Sequence, residues 1–456
     1  MTLKQTLAAA PPTATPTRTA RGGLLVIGGG FAGATLAREA GRRGATIVSP
    51  ENFMLYTPLL PDVAAGTVEP RHVVAPLREM CPHAELILGT AVALNEEART
   101  VTVQTDTGRL VIEYEQLVVA PGGLTRTLPV PGLAEFGVGF KTIEDAVHLR
   151  NTVLRRLDQA DEAPAEEIAA HLTFVFVGGG YAGVEAVAQL HELAHHALRH
   201  YPRLKGVPQR WLLVDAAPRI LAAIPGPLGE YATRELERRG IEIHSGTRLE
   251  SAVDGRIVLS DGTELDARTL VWTAGTRPSP LGARLGLPVD EQGRILVLDT
   301  LRVAGRPDIF AIGDCAHVPN AARRGAPDPP TCQHALRQAK RLARNLAAIR
   351  AGRRPRRYRY RTRGQMAILG RRRGIAEAFG VPLRGLPAWA FTRAYHLSRL
   401  PLRRGRLRVS LDWIVATLLP ADIAQLGSLG RVASLGLNDT SDRPVPVADT
   451  PIRRAA

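Results

Sequence analysis

The stretch LLVIGGGFAGATLA at residues 24–37 returns in altered form as FVFVGGGYAGVEAVA at 174–188. Each copy reads as a short β-prone apolar run, a glycine turn and an alanine-rich helix. Gly28, Gly30 and Gly33 have the spacing G-x-G-x-x-G, and Gly178, Gly180 and Gly183 repeat it. The spacing carries a mechanism. The first glycine permits a tight turn, the second lets backbone approach a pyrophosphate, and the third allows helix and strand to pack closely, with the phosphate at the helix N-terminus. One match is weak, because glycine triplets also occur in ordinary turns. Two matches in strand–turn–helix context are strong.

The repetition extends further. In the first half, β-like runs at Leu86–Leu94, Thr100–Gln104 and Leu110–Tyr114 precede Leu117–Gly122; in the second, Ile241–His244, Arg256–Leu259 and Glu264–Leu265 precede Leu270–Gly275. Gly28 to Gly122 spans 94 residues and Gly178 to Gly275 spans 97. Hairpin signals recur at Asp106-Thr107-Gly108 and Asp261-Gly262. The pattern predicts an α/β chain with two Rossmann-like dinucleotide-binding domains, each carrying a β-meander and the second inserted in the first. It therefore predicts two bound dinucleotides. The expected division is a leader over 1–21, the first fold over 22–141 and 285–375, the second over 142–284, a basic amphipathic region over 376–430 and a tail over 431–456.

A ribose-binding acid belongs about twenty residues past the first glycine, at the end of the second strand. In the first copy that position holds Ser49, and Glu51 two residues on is either the substitute or a solvated turn residue. In the second copy, after a helical His-rich excursion at His191–Tyr201, the strand Trp211–Val214 ends in Asp215. Asp215 would bond a ribose diol and repel a 2′-phosphate, favouring NADH over NADPH; Arg219 nearby pulls the other way. Ile309–Asp314 is a β-run ending in Gly-Asp, and an acid at such a strand end can bond a ribityl chain.

With these residues in place, the sequence resembles the type II NADH dehydrogenases, within the flavin-dependent pyridine-nucleotide reductases. The resemblance runs from about Gly23 to Leu429. Besides the glycine motifs it is carried by Leu55-Tyr56-Thr57-Pro58-Leu59-Leu60-Pro61, Leu270–Gly275, Ile309–Asp314, Pro330–Ala335, Thr392–Leu397 and Asp412-Trp413. It implies FAD held by Gly28, Gly30, Gly33, Glu51, Ala120, Gly122, Asp314 and Gln333. It implies NADH held by Gly178, Gly180, Gly183, Glu185, Asp215, Ala274 and Gly275. Hydride would pass from NADH to the flavin and two electrons onward to a membrane quinone, without proton pumping. Glu185 matches a family glutamate near the nicotinamide–flavin contact; its other reading is a first-turn acid favoured by the helix dipole. The family's Ala-Gln-x-Ala-x-Gln appears as Cys332-Gln333-His334-Ala335-Leu336-Arg337, with Gln338 adjacent. The catalytic set this implies is Glu185, Gln333 and Arg337, where Arg337 would bear on the flavin and on the choice of acceptor.

Composition narrows the rest. Apolar residues make up 45% and charged residues 22%, so a packed core is expected. No window of 18 apolar residues is present, which argues against a transmembrane helix. Three scattered cysteines, Cys81, Cys315 and Cys332, fit neither a disulfide scaffold nor a metal site, and buried thiols are the expected reading. Sulfide:quinone reductases share this architecture but work through a cysteine pair spanning the flavin, and no cysteine lies between Gly122 and Asp314.

The net charge of +16 is concentrated: Lys340–Ser410 holds twenty arginines and one lysine against Glu377 alone. From Leu386 to Gly427, aromatic and aliphatic residues interleave with arginines, the pattern of helices lying in a bilayer interface; the other reading is an ordinary C-terminal packing domain with an arginine-rich surface. The expected partners are therefore NADH, a quinone and anionic lipid at the cytoplasmic face of the cell membrane. A homodimer stays open, and nucleic acid ranks last. The functional alternatives are a soluble NAD(P)H–flavin reductase with another acceptor, or a non-catalytic NADH-binding redox sensor.

Overall fold

Both glycine motifs begin at the C-terminal end of a fully buried strand at the centre of a parallel sheet. The structure is a computed structural model that describes residues 15–362, 364–419 and 421–426. It divides into two compact units.

The first unit holds the chain through Leu55, Val74–Leu124 and Thr276–Arg361. Its five-stranded parallel sheet runs Ile309–Ala311, Gln116–Val119, Leu24–Ile27, Ala45–Ser49, Ala84–Leu88. Leu24, Leu25, Val26, Leu117, Val118 and Val119 are at most 1% exposed, as expected for strands covered on both faces. Helix Phe31–Glu39 packs against helix Cys332–Arg350. A second sheet orders Thr17–Thr19, Gly108–Glu113, Thr100–Thr105 and Thr90–Asn95.

The second unit holds Tyr56–Val73, Thr125–Gly275 and the described chain from Thr362 onward. Its parallel sheet runs Gly137–Gly139, Thr269–Trp272, Thr173–Val177, Arg210–Asp215, Ile241–Ser245, the same arrangement around the motif strand. A three-stranded antiparallel meander, Leu249–Ser251, Arg256–Leu259 and Glu264–Asp266, follows. Phe174 stacks on the fully buried Trp211 with ring centroids 4.2 Å apart, fixing the middle of the sheet. Helix Leu60–Ala64 packs against helices Ile143–Glu162 and Tyr181–Ala197, so Tyr56–Val73 joins this unit rather than the first. A hairpin sheet, Gly364–Ile368, Gly374–Ala378 and Val381–Arg384, leads into helices Gly385–Arg399 and Arg403–Leu418.

Four details differ from the expectations. Thr17–Thr19 pairs in parallel with Val111–Glu113, so the leader does not extend to Arg21; residues 1–14 and the tail 431–456 lie outside the described residues. The run Leu86–Leu94 is two strands, Ala84–Leu88 and Thr90–Asn95, because the chain changes sheets at Gly89. A Cβ on Gly89 would stand 2.5 Å from the Gln104 carbonyl oxygen, so only glycine passes that close to the meander. The contact boundaries fall after Leu124 and Gly275 instead of after 141 and 284, and the region from 376 onward packs with the second unit. Finally, helix Arg403–Leu418 is not simply amphipathic. Val409 and Trp413 form a buried stripe, while Leu407, Leu411, Ile414, Val415 and Leu418 form a second stripe that is 52–76% exposed.

The third glycine of each motif is fixed by contact. A Cβ on Gly33 would lie 1.9 Å from the Gly28 carbonyl oxygen, and one on Gly183 would lie 1.9 Å from that of Gly178. Gly33→Ala and Gly183→Ala should each cost about 1–3 kcal/mol through forced backbone shifts. Gly30→Ala, with nothing within 4 Å of its Cβ, should leave the thermal midpoint of the ligand-free protein unchanged. Thermal melts of the three variants check this ranking.

Candidate functional sites

In the first unit the strand ends converge. The Gly28 N–H donates to the Val48 carbonyl at 2.8 Å, and the Ala120 N–H donates to that of Ile27 at 2.8 Å. Gly28 has φ 110°, and a Cβ there would meet the Ala120 carbonyl oxygen at 2.2 Å, so this turn closes only on glycine. Gly30 then caps helix Phe31–Glu39 without a side-chain cap hydrogen bond, and a Cβ on Gly30 would meet nothing within 4 Å, so there is open space before the helix. Gly122 is open in the same way, and the Asp314 Cβ lies 3.5 Å from where a Cβ on Gly123 would stand. Gly28, Gly30, Gly33, Ala120, Gly122 and Asp314 are thus brought together in one unit. An uncapped helix terminus with open space before it fits a pyrophosphate, and an acid at the end of a neighbouring strand fits a polyol chain.

A buried network holds the Gly313-Asp314 turn. The Gly313 N–H donates to Gln338 Oε1 at 2.8 Å, and Gln338 Nε2 donates to Asp328 Oδ2 at 3.0 Å. Asp328 Oδ1 accepts from Asn320 Nδ2 at 2.8 Å. His334 joins this network: its Nε2 lies 3.6 Å from Asp328 Oδ1, and burial lowers its pKa. Gln338 is therefore the side chain of helix Cys332–Arg350 that reaches the turn. Arg337 lies elsewhere, with its guanidinium carbon 5.3 Å from the centre of the Tyr360 ring. Gln333 is half-buried in the first turn of the same helix.

The cysteines are free, and burial raises all three thiols, Cys315 to about 12 and Cys81 and Cys332 to about 11. They stay protonated near neutral pH and are poor nucleophiles.

Ser49 lies beneath Gly29, its Oγ 2.6 Å from where a Cβ on Gly29 would be. Asp215 lies under Gly179 in the second unit in the same manner. Ser49 therefore takes the position the acid takes in the second copy, while Glu51 is exposed two residues on.

The second unit repeats the cradle. The Gly178 N–H donates to the Val214 carbonyl at 2.7 Å, and Gly180 caps helix Tyr181–Ala197 without a side-chain cap, again facing open space. Asp215 Oδ2 accepts from the Gly179 N–H and Oδ1 from that of Ala217 at 2.7 Å. Ala274 and Gly275 close the third strand, with the Ala274 nitrogen 2.7 Å from where a Cβ on Gly178 would be. Arg219 is tied to its own loop. Its guanidinium donates to the carbonyls of Ile224 and Ala222, both at 2.8 Å.

Glu185 sits in the first turns of the second glycine helix. Its Oε1 accepts from the Ile368 N–H at 2.8 Å, and Tyr181 Oη donates to Gln365 Oε1 at 2.7 Å. Burial raises the Glu185 pKa to about 8; the Ile368 bond opposes that rise and the nearby Asp62 adds to it. Asp62, 1% exposed, accepts from Trp413 Nε1 at 3.1 Å and from Thr67 Oγ1 at 3.1 Å. Arg393 Nη2 lies 3.6 Å from it, and the Arg393 guanidinium carbon lies 4.3 Å from the ring centre of Trp389 and 4.6 Å from that of Trp413. Tyr56 Oη bonds His396 Nδ1 at 3.1 Å, and burial lowers the His396 pKa to about 4.

Asp62, Arg393 and His396 were not singled out by sequence, although they lie in or beside segments that carry the family resemblance. Their signal was polar residues inside apolar runs, which composition alone does not resolve. Among the described residues no group of acids, histidines and cysteines could hold a metal ion.

Comparison with known proteins places this geometry. The family model described as pyridine nucleotide-disulphide oxidoreductase matches residues 23–339. The type II NADH:quinone oxidoreductase Ndh of Mycobacterium tuberculosis is 30% identical over 425 residues, covering 89% of this chain and 90% of the relative. The demethylphylloquinone reductase NdbB of Synechocystis is 30% identical over 413 residues, covering 88% and 97%. Among solved structures, NDH2 from Plasmodium falciparum in complex with NADH superposes with a TM-score of 0.82 at 17% identity, covering 88% of this chain and 99% of that one.

The Glu185 carboxyl predicts a pH dependence. Its folded pKa stands above the ordinary value of 4.5, so folding takes up a proton between the two values. Its contribution to stability is fully present below the unfolded value and is lost as pH rises through about 8. Glu185→Gln does not titrate and should gain thermal midpoint relative to the parent from about pH 5 to about pH 9. Parallel curves for the two proteins would exclude a raised pKa.

Proposed function

The chain belongs to the pyridine nucleotide-disulphide oxidoreductases and, within them, to the type II NADH:quinone oxidoreductase family, and on that premise we propose that its two glycine cradles serve one electron-transfer reaction. The enzyme moves electrons from NADH to a quinone with FAD as its cofactor. The observation that carries this reading is the duplication: two helix N-termini without a side-chain cap, at Gly30 and Gly180, each with open space where a Cβ would stand, beside an acid-bearing or Gly-Asp strand end.

In this reading Gly28, Gly30, Gly33, Ala120, Gly122 and Asp314 hold FAD, while Gly178, Gly180, Gly183, Asp215, Ala274 and Gly275 hold NADH. Bound FAD supplies a ring system that accepts a hydride from NADH and passes two electrons to the quinone. Gln338 positions Asp314 by accepting the Gly313 N–H. Asp215 favours the unphosphorylated ribose of NADH, and Arg219 is held by the carbonyls of Ile224 and Ala222. Glu185 holds a proton near neutral pH and can release it to an acceptor oxygen that gains charge. Gln333 stays with the FAD-holding and catalytic sets, and Arg337, its guanidinium steadied against Tyr360, bears on the flavin and on the choice of acceptor.

The exposed stripe Leu407, Leu411, Ile414, Val415 and Leu418 meets the anionic face of a bilayer, flanked by the exposed Arg403, Arg404 and Arg408. Phe379, 77% exposed at a hairpin tip, and Leu386, 54% exposed, add apolar area to the same unit. No helix among the described residues is long and apolar enough to cross a membrane; the contact proposed here is a peripheral one through this stripe, at the cytoplasmic face.

Anaerobic stopped-flow absorbance tests the reaction. Mixing with NADH should bleach the flavin, and a short-chain quinone should restore its colour. Bleaching without recolouring removes the quinone half, and absence of bleaching removes the whole reading. Glu185→Gln should keep FAD and slow turnover. Asp215→Ala should weaken NADH about tenfold to a hundredfold and narrow its preference over NADPH, the loss expected for bonds to a charged acceptor.

A further inference from the structure

The arginine-rich sequence divides between the two units, and the half belonging to the first unit has a different physical character. Residues 353–361 form no regular element, yet their backbone is tied down at every second position. Asn345, 2% exposed, donates Nδ2 to the Arg356 carbonyl at 2.9 Å and accepts the Arg356 N–H at 3.0 Å. The Tyr358 N–H donates to the Asp299 carbonyl at 2.7 Å, and the Tyr358 carbonyl accepts from the Ala321 N–H at 3.2 Å. Asn320, fully buried, donates Nδ2 to the Tyr360 carbonyl at 2.7 Å and accepts the Tyr360 N–H at 3.0 Å.

This anchoring presents Arg353, Arg354, Arg356, Arg357, Arg359 and Arg361 to solvent, all exposed, while Tyr358 is 1% exposed. Arg323 and Arg324 are exposed on the adjoining turn, which the Ala321–Tyr358 bond ties to the ribbon. Among the described residues, Arg357 is the one of the six with an ion pair, at 2.9 Å to Asp299. A free chain of such charge would extend and fluctuate to lower its self-repulsion. Two buried asparagines and the backbone bonds of Tyr358 instead hold the charges in register, an arrangement that a multivalent anion offsets and water alone does not.

We propose that the ribbon 353–361 is a second membrane contact, binding anionic phospholipid headgroups by charge without insertion. Three observations select a lipid surface. The ribbon exposes no large apolar side chain to insert. It offers no free aromatic platform for bases, because Tyr358 is buried and Tyr360 is half-buried with Arg337 over its ring, and no helix to enter a groove. Its last residue precedes by three positions the strand Gly364–Ile368, the start of the segment that carries the exposed apolar stripe. This deepens the membrane reading above, replacing one kind of contact with two: apolar insertion by the second unit and headgroup pairing by the first.

The test uses the full-length, FAD-loaded enzyme in sedimentation with phosphatidylcholine vesicles, with and without phosphatidylglycerol. One variant carries Arg353→Gln, Arg354→Gln, Arg356→Gln, Arg357→Gln, Arg359→Gln and Arg361→Gln; another carries Leu411→Glu and Leu418→Glu. The ribbon variant should retain FAD absorbance and NADH oxidation with a soluble quinone. It should lose about tenfold or more of its affinity for phosphatidylglycerol vesicles at low salt, with a weaker salt dependence and no change on phosphatidylcholine. The stripe variant should lose binding to both vesicles. A ribbon variant that binds phosphatidylglycerol as the parent does overturns the proposal, and so does RNA that displaces the parent from vesicles through the same arginines. A stripe variant with parental binding beside a defective ribbon variant removes the apolar-face reading and leaves this one standing.

Discussion

The absence of a side chain at Gly33 and Gly183 is the constraint from which the two dinucleotide cradles follow. With 1.9 Å between a would-be Cβ and the carbonyl of the first motif glycine, no other residue lets the helix start so near its strand. That approach leaves a helix terminus without a side-chain cap at the end of a buried sheet. The N–H groups of a helix's first turn have no partner within the helix, and an anion is a partner that also complements the helix dipole. The same geometry occurs in each unit, so the chain carries two helix termini of one construction. What differs between them is the neighbouring strand end: Ser49 and the Gly313-Asp314 turn in one, Asp215 in the other.

A different economy governs the second unit's polar interior. Asp62 is nearly sealed from water, which is costly for a charge unless its bonds are made. Trp413, Thr67 and Arg393 supply them, and Arg393 is itself enclosed by two indole rings, where a guanidinium is stabilised by the ring faces. This node ties helices Gly385–Arg399 and Arg403–Leu418 to helix Leu60–Ala64. Truncating Trp413 or Arg393 would leave a carboxylate short of partners, a loss expected to exceed that of an ordinary surface pair. Asp62 also acts at a distance by helping to keep Glu185 neutral.

Much of this was legible before any coordinates. Glycine spacing is read directly because it encodes backbone contact, and the duplicate meanders followed from alternation and turn signals. Asp215 and Asp314 were legible because each closes an apolar run. What was hidden depended on contacts between distant segments. Gln338 outranks Arg337 at the Gly313 turn only because the helix rotation turns one inward, and adjacent residues in a helix point about 100° apart. The partnership of Tyr56 with His396, and of Asp62 with Arg393 and Trp413, joins positions more than 300 residues apart. The double stripe on helix Arg403–Leu418 read as amphipathic, because an apolar residue does not state whether it faces protein or solvent.

The order of strands sets a timetable for synthesis. The second unit's sheet draws its five strands from one continuous stretch, Gly137 to Ser245 and Thr269–Trp272, and can be completed soon after it leaves the ribosome. The first unit's sheet closes only when Ile309–Ala311 docks beside Gln116–Val119. Some 190 residues are translated in between, roughly 10–40 s at ordinary elongation rates. For that interval Gln116–Val119 is an unpaired apolar edge, the kind of surface that recruits stray strands. The nascent N-terminal half thus waits longest for its last sheet partner, although its finished core is among the most deeply buried.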